Sequence, residues 1–253
     1  MQSLAKILSS GDLSVFALVS KDKIKYKRIL LKISGEILGQ NNEVLTPKVL
    51  HYITEQILSV HKLGVKIGVV VGGGNIIRGK EVSWLNPVEA DLCGMVATVI
   101  NGMALYSIIK KYTDDVYLRS SFEITGFVES FHKIEDQTIY NQGGVIILVG
   151  GTGNPLFTTD TASALRAVEL SSELLIKGTK VEGVYSADPK KNKNARLYRK
   201  LRFEEAIEKN LNVMDITAFR ICKDAKIPIC VYNLMKYPLK KIVLGEAVGT
   251  LVY

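Results

Sequence analysis

The sequence predicts an α/β fold in which a mainly parallel central sheet carries helices on both faces. Three observations predict it. Buried-strand runs alternate with helical segments along the chain, no long linker or repeat divides the series, and the glycine-rich segments follow strands. Such alternation marks βα units, whose crossovers make neighbouring strands run parallel. Ligands of these sheets bind beyond the carboxyl ends of the strands, where the glycines stand.

The elements follow in order. Arg28–Ile33 (RILLKI) is a buried-strand run. Thr46-Pro47 then supplies an N-cap and a proline at the first helical position, and Leu50, Ile53, Ile57 and the 60–63 region share one apolar helical face. Val65–Val71 (VKIGVVV) is a second buried strand, ended by Gly72-Gly73-Gly74. A helix is expected over about Ala90–Lys110, with short strands near Val116–Leu118 and Val145–Val149. A helix from about Thr159 to Leu170 precedes a strand at Glu173–Ile176. Helices near 203–209 and 215–225 and a strand at Ile229–Tyr232 complete the series. Regular signals begin at Tyr26, so residues 1–25 read as an extension of unknown role and 26–253 as one domain.

A chain of 253 residues can bury a full core. With 47% apolar and 23% charged residues it has the balance of a soluble globular protein. Cys93, Cys222 and Cys230 are odd in number and share no CxxC spacing, which argues against structural disulfides and zinc and fits a reducing cytoplasm. No apolar run reaches the roughly 20 residues of a bilayer span, and Leu13–Val19 is too short for a signal peptide. His51, His61 and His132 are scattered, against a Ser-His-Asp hydrolase. Net charge of +8 favours anionic partners. Lys190, Lys191, Lys193, Arg196, Arg199, Lys200 and Arg202 concentrate the excess. A solvated loop is the ordinary reading of such a run, and contact with phosphates or RNA the alternative.

The densest signal lies between Ile146 and Ala162 (IILVGGTGNPLFTTDTA), an apolar strand, a glycine turn and a hydroxyl-rich segment ending in Asp160. Glycines let backbone N–H groups approach an anion, and threonine hydroxyls add neutral donors. Such a site suits a phosphate monoester held without hydrolysis. Lys32-Ile33-Ser34-Gly35 ends the first strand; it reads as a phosphate-facing ammonium beside a donor turn, or as a strand-end lysine in a tight turn. Gly72-Gly73-Gly74-Asn75-Ile76-Ile77-Arg78 ends the second and offers Arg78 as a phosphate-facing cation. Gly74–Lys80 spells the start of a P-loop, but Glu81 replaces the magnesium-ligating Ser or Thr, so a P-loop NTPase is rejected. Asp91 opens the following helix, either as a first-turn acid or as an acceptor for ribose hydroxyls. In Lys177–Pro189 (KGTKVEGVYSADP), Tyr185 reads as a base-stacking or a core ring, and Asp188 as an acceptor for ribose or adenine.

Together KISG, GGGNIIRG, D-x-x-GM, GGTGNPLFTTDTA, K-x-TKVEGVYSADP and Val213-Met214-Asp215 resemble the bacterial UMP kinases of the amino acid kinase superfamily, over about residues 26–253. The resemblance implies a three-layer α/β/α sandwich and magnesium-dependent transfer of the γ-phosphoryl of ATP to UMP. It implies an ATP site at Lys32, Ile33, Ser34, Gly35, Gly74, Arg78, Thr179, Tyr185 and Asp188. It places UMP on Gly73, Asp91, Thr152, Gly153, Asn154, Pro155, Leu156, Phe157, Thr158 and Thr159. Asp160 would orient the phosphate-binding lysines rather than act as a base; Lys177 is the candidate second lysine and Lys180 the alternative. No protein metal ligands are implied, since magnesium would ride on ATP phosphates. A cytoplasmic homohexamer with UTP as feedback inhibitor is also implied, with neither membrane nor nucleic acid as partner. Glu173 and Glu182 replace common aspartates, and Gly39-Gln40-Asn41-Asn42 is shorter than the family's glycine-rich loop, a departure bearing on GTP activation. The rivals are a carboxylate or carbamate kinase and a non-catalytic nucleotide- or RNA-binding regulator.

Overall fold

The computed structural model describes residues 23–40, 43–78, 82–187, 189, 191–209, 211 and 214–253. In chain order the elements are β1 (Arg28–Ile33), α1 (Gly35–Leu38), α2 (Pro47–His61), β2 (Lys66–Val71), α3 (Pro87–Ile109), β3 (Val116–Ser120) and β4 (Glu129–Ser130). Then follow α4 (Lys133–Gln142), β5 (Val145–Val149), α5 (Thr159–Glu169), β6 (Leu174–Thr179), β7 (Lys200–Leu201), α6 (Phe203–Glu208), α7 (Ile216–Asp224), β8 (Ile229–Asn233), α8 (Leu239–Val243) and β9 (Thr250–Val252).

The strands form one sheet in the order β4-β3-β5-β2-β1-β6-β8-β9-β7. The β8–β9 pair is antiparallel; the other neighbours are parallel. Successive strand residues face opposite sides of a sheet, and β1 uses both. Ile29, Leu31 and Ile33 pack with α2 and α3, whereas Leu30 packs with Ala164 and Ala167 of α5 and Phe219 of α7. Both faces are covered, giving the expected three layers. Each such aliphatic side chain contributes roughly 1.5–3 kcal/mol by leaving water. β1 is the switch point: β2 and β5 continue the sheet on one side and β6 on the other, with their carboxyl ends at one edge.

Several expectations are corrected. α3 begins at Pro87 rather than about Ala90, because Asn86 caps it by accepting from Glu89 N at 3.0 Å. Asp91 therefore stands in the second turn, and Glu89 is the first-turn acid. At 23 residues α3 is also long and apolar enough to cross a bilayer, contrary to the sequence expectation. In the fold it packs on β2, β3, β5 and α2 and buries Asn101 and Thr98. α4 lies where no helix is expected. Its polar sequence lacks an apolar stripe and is held instead by buried Tyr140, whose hydroxyl donates to Ile29 O at 3.0 Å, and by buried Asp136, which accepts from Arg119 Nε at 2.7 Å. Ile24 is buried in the core and Lys25 N donates to Val243 O, so packing starts within the stretch read as an extension; residues 1–22 lie outside the described residues.

Candidate active site

Parallel register creates the centre of the site. Lys32 of β1 lies opposite Lys177 of β6, so the two side chains leave the sheet on the same face. Leu30 and Leu175, two residues earlier, both belong to the core under α5. Asp160, in the first turn of α5, reaches down between the lysines. Its Oδ1 pairs with Lys32 Nζ at 2.8 Å and its Oδ2 with Lys177 Nζ at 2.5 Å, all three side chains being nearly buried. Burial pushes the Asp160 carboxyl up, but the two ammonium charges outweigh it and hold the group at about 2. Burial moves Lys177 the other way, below the usual lysine range, with Asp160 opposing. A carboxylate so placed is a poor base and a good anchor. The trio keeps one net positive charge, which favours an anion beside it. Lys180 is exposed, and its carbonyl accepts from Asn233 Nδ2 at 2.9 Å. Lys177 is therefore the lysine that meets Asp160.

The glycine turns after β1 and β2 touch backbone to backbone. A Cβ on Gly35 would stand 2.5 Å from Gly74 N and 2.8 Å from Gly72 O, and one on Gly73 would stand 2.7 Å from Gly94 O. Only glycine permits this approach. Gly74 differs, since its Cβ would meet only Arg78 atoms at 3.8 Å, which leaves its Cα side open to a ligand. Arg78 folds back over the turn, Nε donating to Gly74 O at 3.0 Å and Nη2 pairing with Glu36 at 2.8 Å. These residues, with Gln40, Glu43 and Lys180, line a cleft of about 360 Å³. Lys32 Nζ also donates to Ser34 Oγ at 3.3 Å. Ile33 contributes backbone, its carbonyl accepting from Gly72 N at 2.9 Å.

Across the edge, the loop after β5 turns on Gly150, Gly151 and Gly153, with φ of +81°, +60° and +83°. Thr152 Oγ1 accepts from Asn154 N at 3.1 Å and donates to Asn154 O at 3.0 Å, closing a tight turn before Pro155. Leu156 is held at φ +69°, and its N–H donates to Asp91 Oδ2 at 2.7 Å. Asp91 thus pins this loop, in which Leu156 and Phe157 are exposed. Thr158 caps α5, accepting from Asp160 N at 3.0 Å, and Thr159 lies against the Gly72 turn.

Thr179 is buried and its hydroxyl accepts from Val181 N at 2.7 Å, fixing the turn after β6. Tyr185 is half-buried and bridges to Leu197. Asp188, residues 79–81 of the P-loop decoy, Asn41-Asn42 and Val213 lie outside the described residues. Sequence reasoning missed several positioning groups. Asn101 donates to Gly72 O and Asn75 Oδ1, both at 2.7 Å, and Thr98 Oγ1 accepts from Gly150 N at 2.7 Å. Ser121 Oγ donates to Gly151 O at 2.7 Å. Asp215, quoted among the motifs but given no role, caps α7 through Ala218 N at 2.7 Å and accepts from the hydroxyls of Thr158 and Thr161. A polar residue inside the long apolar α3 was the available signal for Thr98 and Asn101.

A model described as the amino acid kinase family matches residues 27–233. The chain belongs to that family. A uridylate kinase from Pseudoalteromonas atlantica is 42% identical over 235 residues, covering 91% of this chain and 95% of the relative. A uridylate kinase from Legionella pneumophila is 43% identical over 237 residues, covering 92% and 96%. The crystal structure of a UMP kinase from Bacillus anthracis superposes with a TM-score of 0.86 at 36% identity, covering 90% of this chain and 96% of that one. In this amino acid kinase the ends of β1, β2, β5 and β6 lie side by side at the edge described above.

Proposed function

We propose that this amino acid kinase is a UMP kinase, moving the γ-phosphoryl of ATP to UMP to give UDP and ADP for pyrimidine nucleotide synthesis. The observation that carries the reading is the Lys32–Asp160–Lys177 trio, set beside the Arg78 turn and facing a hydroxyl-rich loop pinned by Asp91. A UMP phosphate oxygen attacks the γ-phosphorus, and the bond to the β–γ bridging oxygen breaks. The second pKa of a phosphate monoester is near 6, so the nucleophile is already ionised at pH 7 and needs no protein base. Charge in the loose transition state spreads over the equatorial oxygens, where fixed cations act. Lys32, Lys177 and Arg78 supply them, with Gly35 and Gly74 admitting the donor phosphates and Asp160 holding both lysines extended. Thr179 and Tyr185 are assigned to the donor nucleoside, with Asp188 carried over from the family resemblance alone; Gly73, Asp91 and Thr152–Thr159 are assigned to UMP.

Magnesium, when bound, neutralises charge on the donor phosphates. The cleft is lined by the side chains of Arg78, Lys180, Gln40, Asn75, Glu36 and Glu43, and among the described residues no three His, Cys, Asp or Glu side chains gather as a metal cage, a setting that fits a metal ligated largely by phosphate oxygens and water. The outer side of α3 exposes Val88, Leu92, Val96, Ile100 and Met103 at helical spacing, which supports self-association and is compatible with a homohexamer. A cytoplasmic location and feedback by UTP at the UMP site complete the reading.

An ADP-release assay with ATP and magnesium, offering UMP, CMP, dUMP, glutamate and aspartate in parallel, tests it. Turnover with UMP is expected. Turnover with an amino acid alone would keep the fold and overturn the substrate. UTP is expected to raise the apparent KM for UMP; its failure to inhibit at large excess would remove the feedback claim.

A further inference from the structure

Glu36 is the unexpected group at the donor edge. It follows the Lys32–Gly35 turn directly, so its carboxylate faces the cleft assigned to the most negative ligand of the reaction. A bare carboxylate there repels phosphates. Its contact with Arg78 does not explain it as a fold device, since both side chains are about half exposed, at 56% and 42%. Exposed ion pairs contribute little to stability.

The local backbone explains how the pair is built. Gly35 lets the turn after β1 press on Gly72 and Gly74 at distances no side chain tolerates. The next residue, Glu36, is thereby brought within 2.8 Å of Arg78 Nη2. Arg78 is gripped at a second point, Nε on Gly74 O at 3.0 Å. Contacts at two different nitrogens of a planar, rigid guanidinium restrain its plane. A long arginine otherwise loses rotamer freedom when it engages the transition state; one already held does not.

We infer that Glu36 is a positioning residue for phosphoryl transfer: it holds the Arg78 guanidinium in plane over the Gly74 turn before the donor arrives. This rests on the reading of Arg78 as a cation of the reacting phosphates. Glu36 acts through Arg78 and touches no reacting atom. Its removal should lower kcat and spare the UMP constant, because misorientation of a transition-state cation costs rate rather than acceptor binding.

The test is a double-mutant cycle on the full-length protein with ATP, UMP and magnesium, comparing wild type, Glu36→Gln, Glu36→Asp, Arg78→Ala and Glu36→Gln/Arg78→Ala. Glu36→Gln is expected to lower kcat about two- to fivefold, the orienting power of an exposed pair, with the KM for UMP and the thermal midpoint nearly unchanged. Glu36→Asp, which keeps the charge, should recover part of the loss. In the Arg78→Ala background Glu36→Gln should have almost no further effect, since nothing remains to be held. An equal loss in both backgrounds would overturn the inference, and so would an unchanged or raised kcat in Glu36→Gln beside a crippled Arg78→Ala. An Arg78→Ala enzyme with normal kcat would overturn the reading of Arg78 itself, and the tether with it.

Discussion

Asp160 is the residue on which the centre turns, and its protonation links chemistry to stability. Its carboxyl is near its ordinary value in the unfolded chain and about 2 in the fold, so the folded state holds its proton less tightly. The stabilisation is present above the unfolded value near 4 and is lost as pH falls through about 2. Urea melts between pH 5 and pH 2 should show an acid-dependent loss that Asp160→Asn flattens; an unchanged pH slope would contradict the pairing. For catalysis, Lys32→Ala and Lys177→Ala should each lower kcat by about 2.7–4 kcal/mol of transition-state stabilisation, as loss of a single preorganised donor does. Lys180→Ala should change kcat far less, and steady-state rates at saturating ATP and UMP check the ranking. On the proposed reading Asp91 takes UMP as well as Leu156 N, so Asp91→Ala should raise the KM for UMP and also loosen Leu156 N. Asp91→Asn keeps an acceptor for that N–H and should be the milder change. Lys32 and Asp160 were legible from sequence because one ends a strand and the other opens a helix, and Arg78 because it follows the Gly72-Gly73-Gly74 turn. The choice between Lys177 and Lys180 was not, since both follow the same strand run and only pairing with β1 separates them.

At the scale of elements, α3 holds the site from beneath. Along one helix Asp91 takes the acceptor loop, Thr98 takes Gly150, and Asn101 takes Gly72 and Asn75. Asn101 is fully buried, so Asn101→Leu would strand the Gly72 carbonyl and the Asn75 amide, at a cost of about 1–3 kcal/mol. Thermal unfolding should show that loss together with a weakened donor constant; retention of both would assign the amide no such role. Strands with continuous apolar runs were readable because a sheet covered on both faces needs them. α4 was not, because a buried ion pair and a tyrosine replace the apolar stripe that periodicity detects. The start of α3 was misplaced because Asn86-Pro87, the same polar-then-proline pattern as Thr46-Pro47, precedes the first strongly apolar residues, although only Asn86 caps its helix through the side chain.

For the whole molecule, the outward apolar row on α3 departs from a closed monomer surface, and it lies on the helix that holds the Gly72 turn and the loop after β5. Val96→Glu with Ile100→Glu should lower the mass found by light scattering, because two charges would have to be desolvated in any apolar contact. An unchanged mass would place self-association elsewhere. The basic run at 191–202 stayed a solvated surface: among the described residues Lys191, Lys193, Arg196, Lys200 and Arg202 are exposed. The parallel alternation was readable from the succession of buried-strand and helical runs, and the edge proposed for ligands from the glycines that follow the strands. The order of strands was not, since it depends on contacts between residues more than a hundred positions apart, such as Ile29 with Leu174.

The pairing of Lys32 with Lys177 makes the sheet a ruler for chemistry. Side chains alternate at every step along a strand, so sliding β6 by a single residue against β1 would send the second ammonium to the opposite layer. Inheritance should therefore treat the two sides of this edge unequally. Loops beyond the strand ends can gain or lose residues freely, whereas within β1 and β6 a change of odd length would leave a protein that still resembles a kinase in outline yet has no second cation to offer.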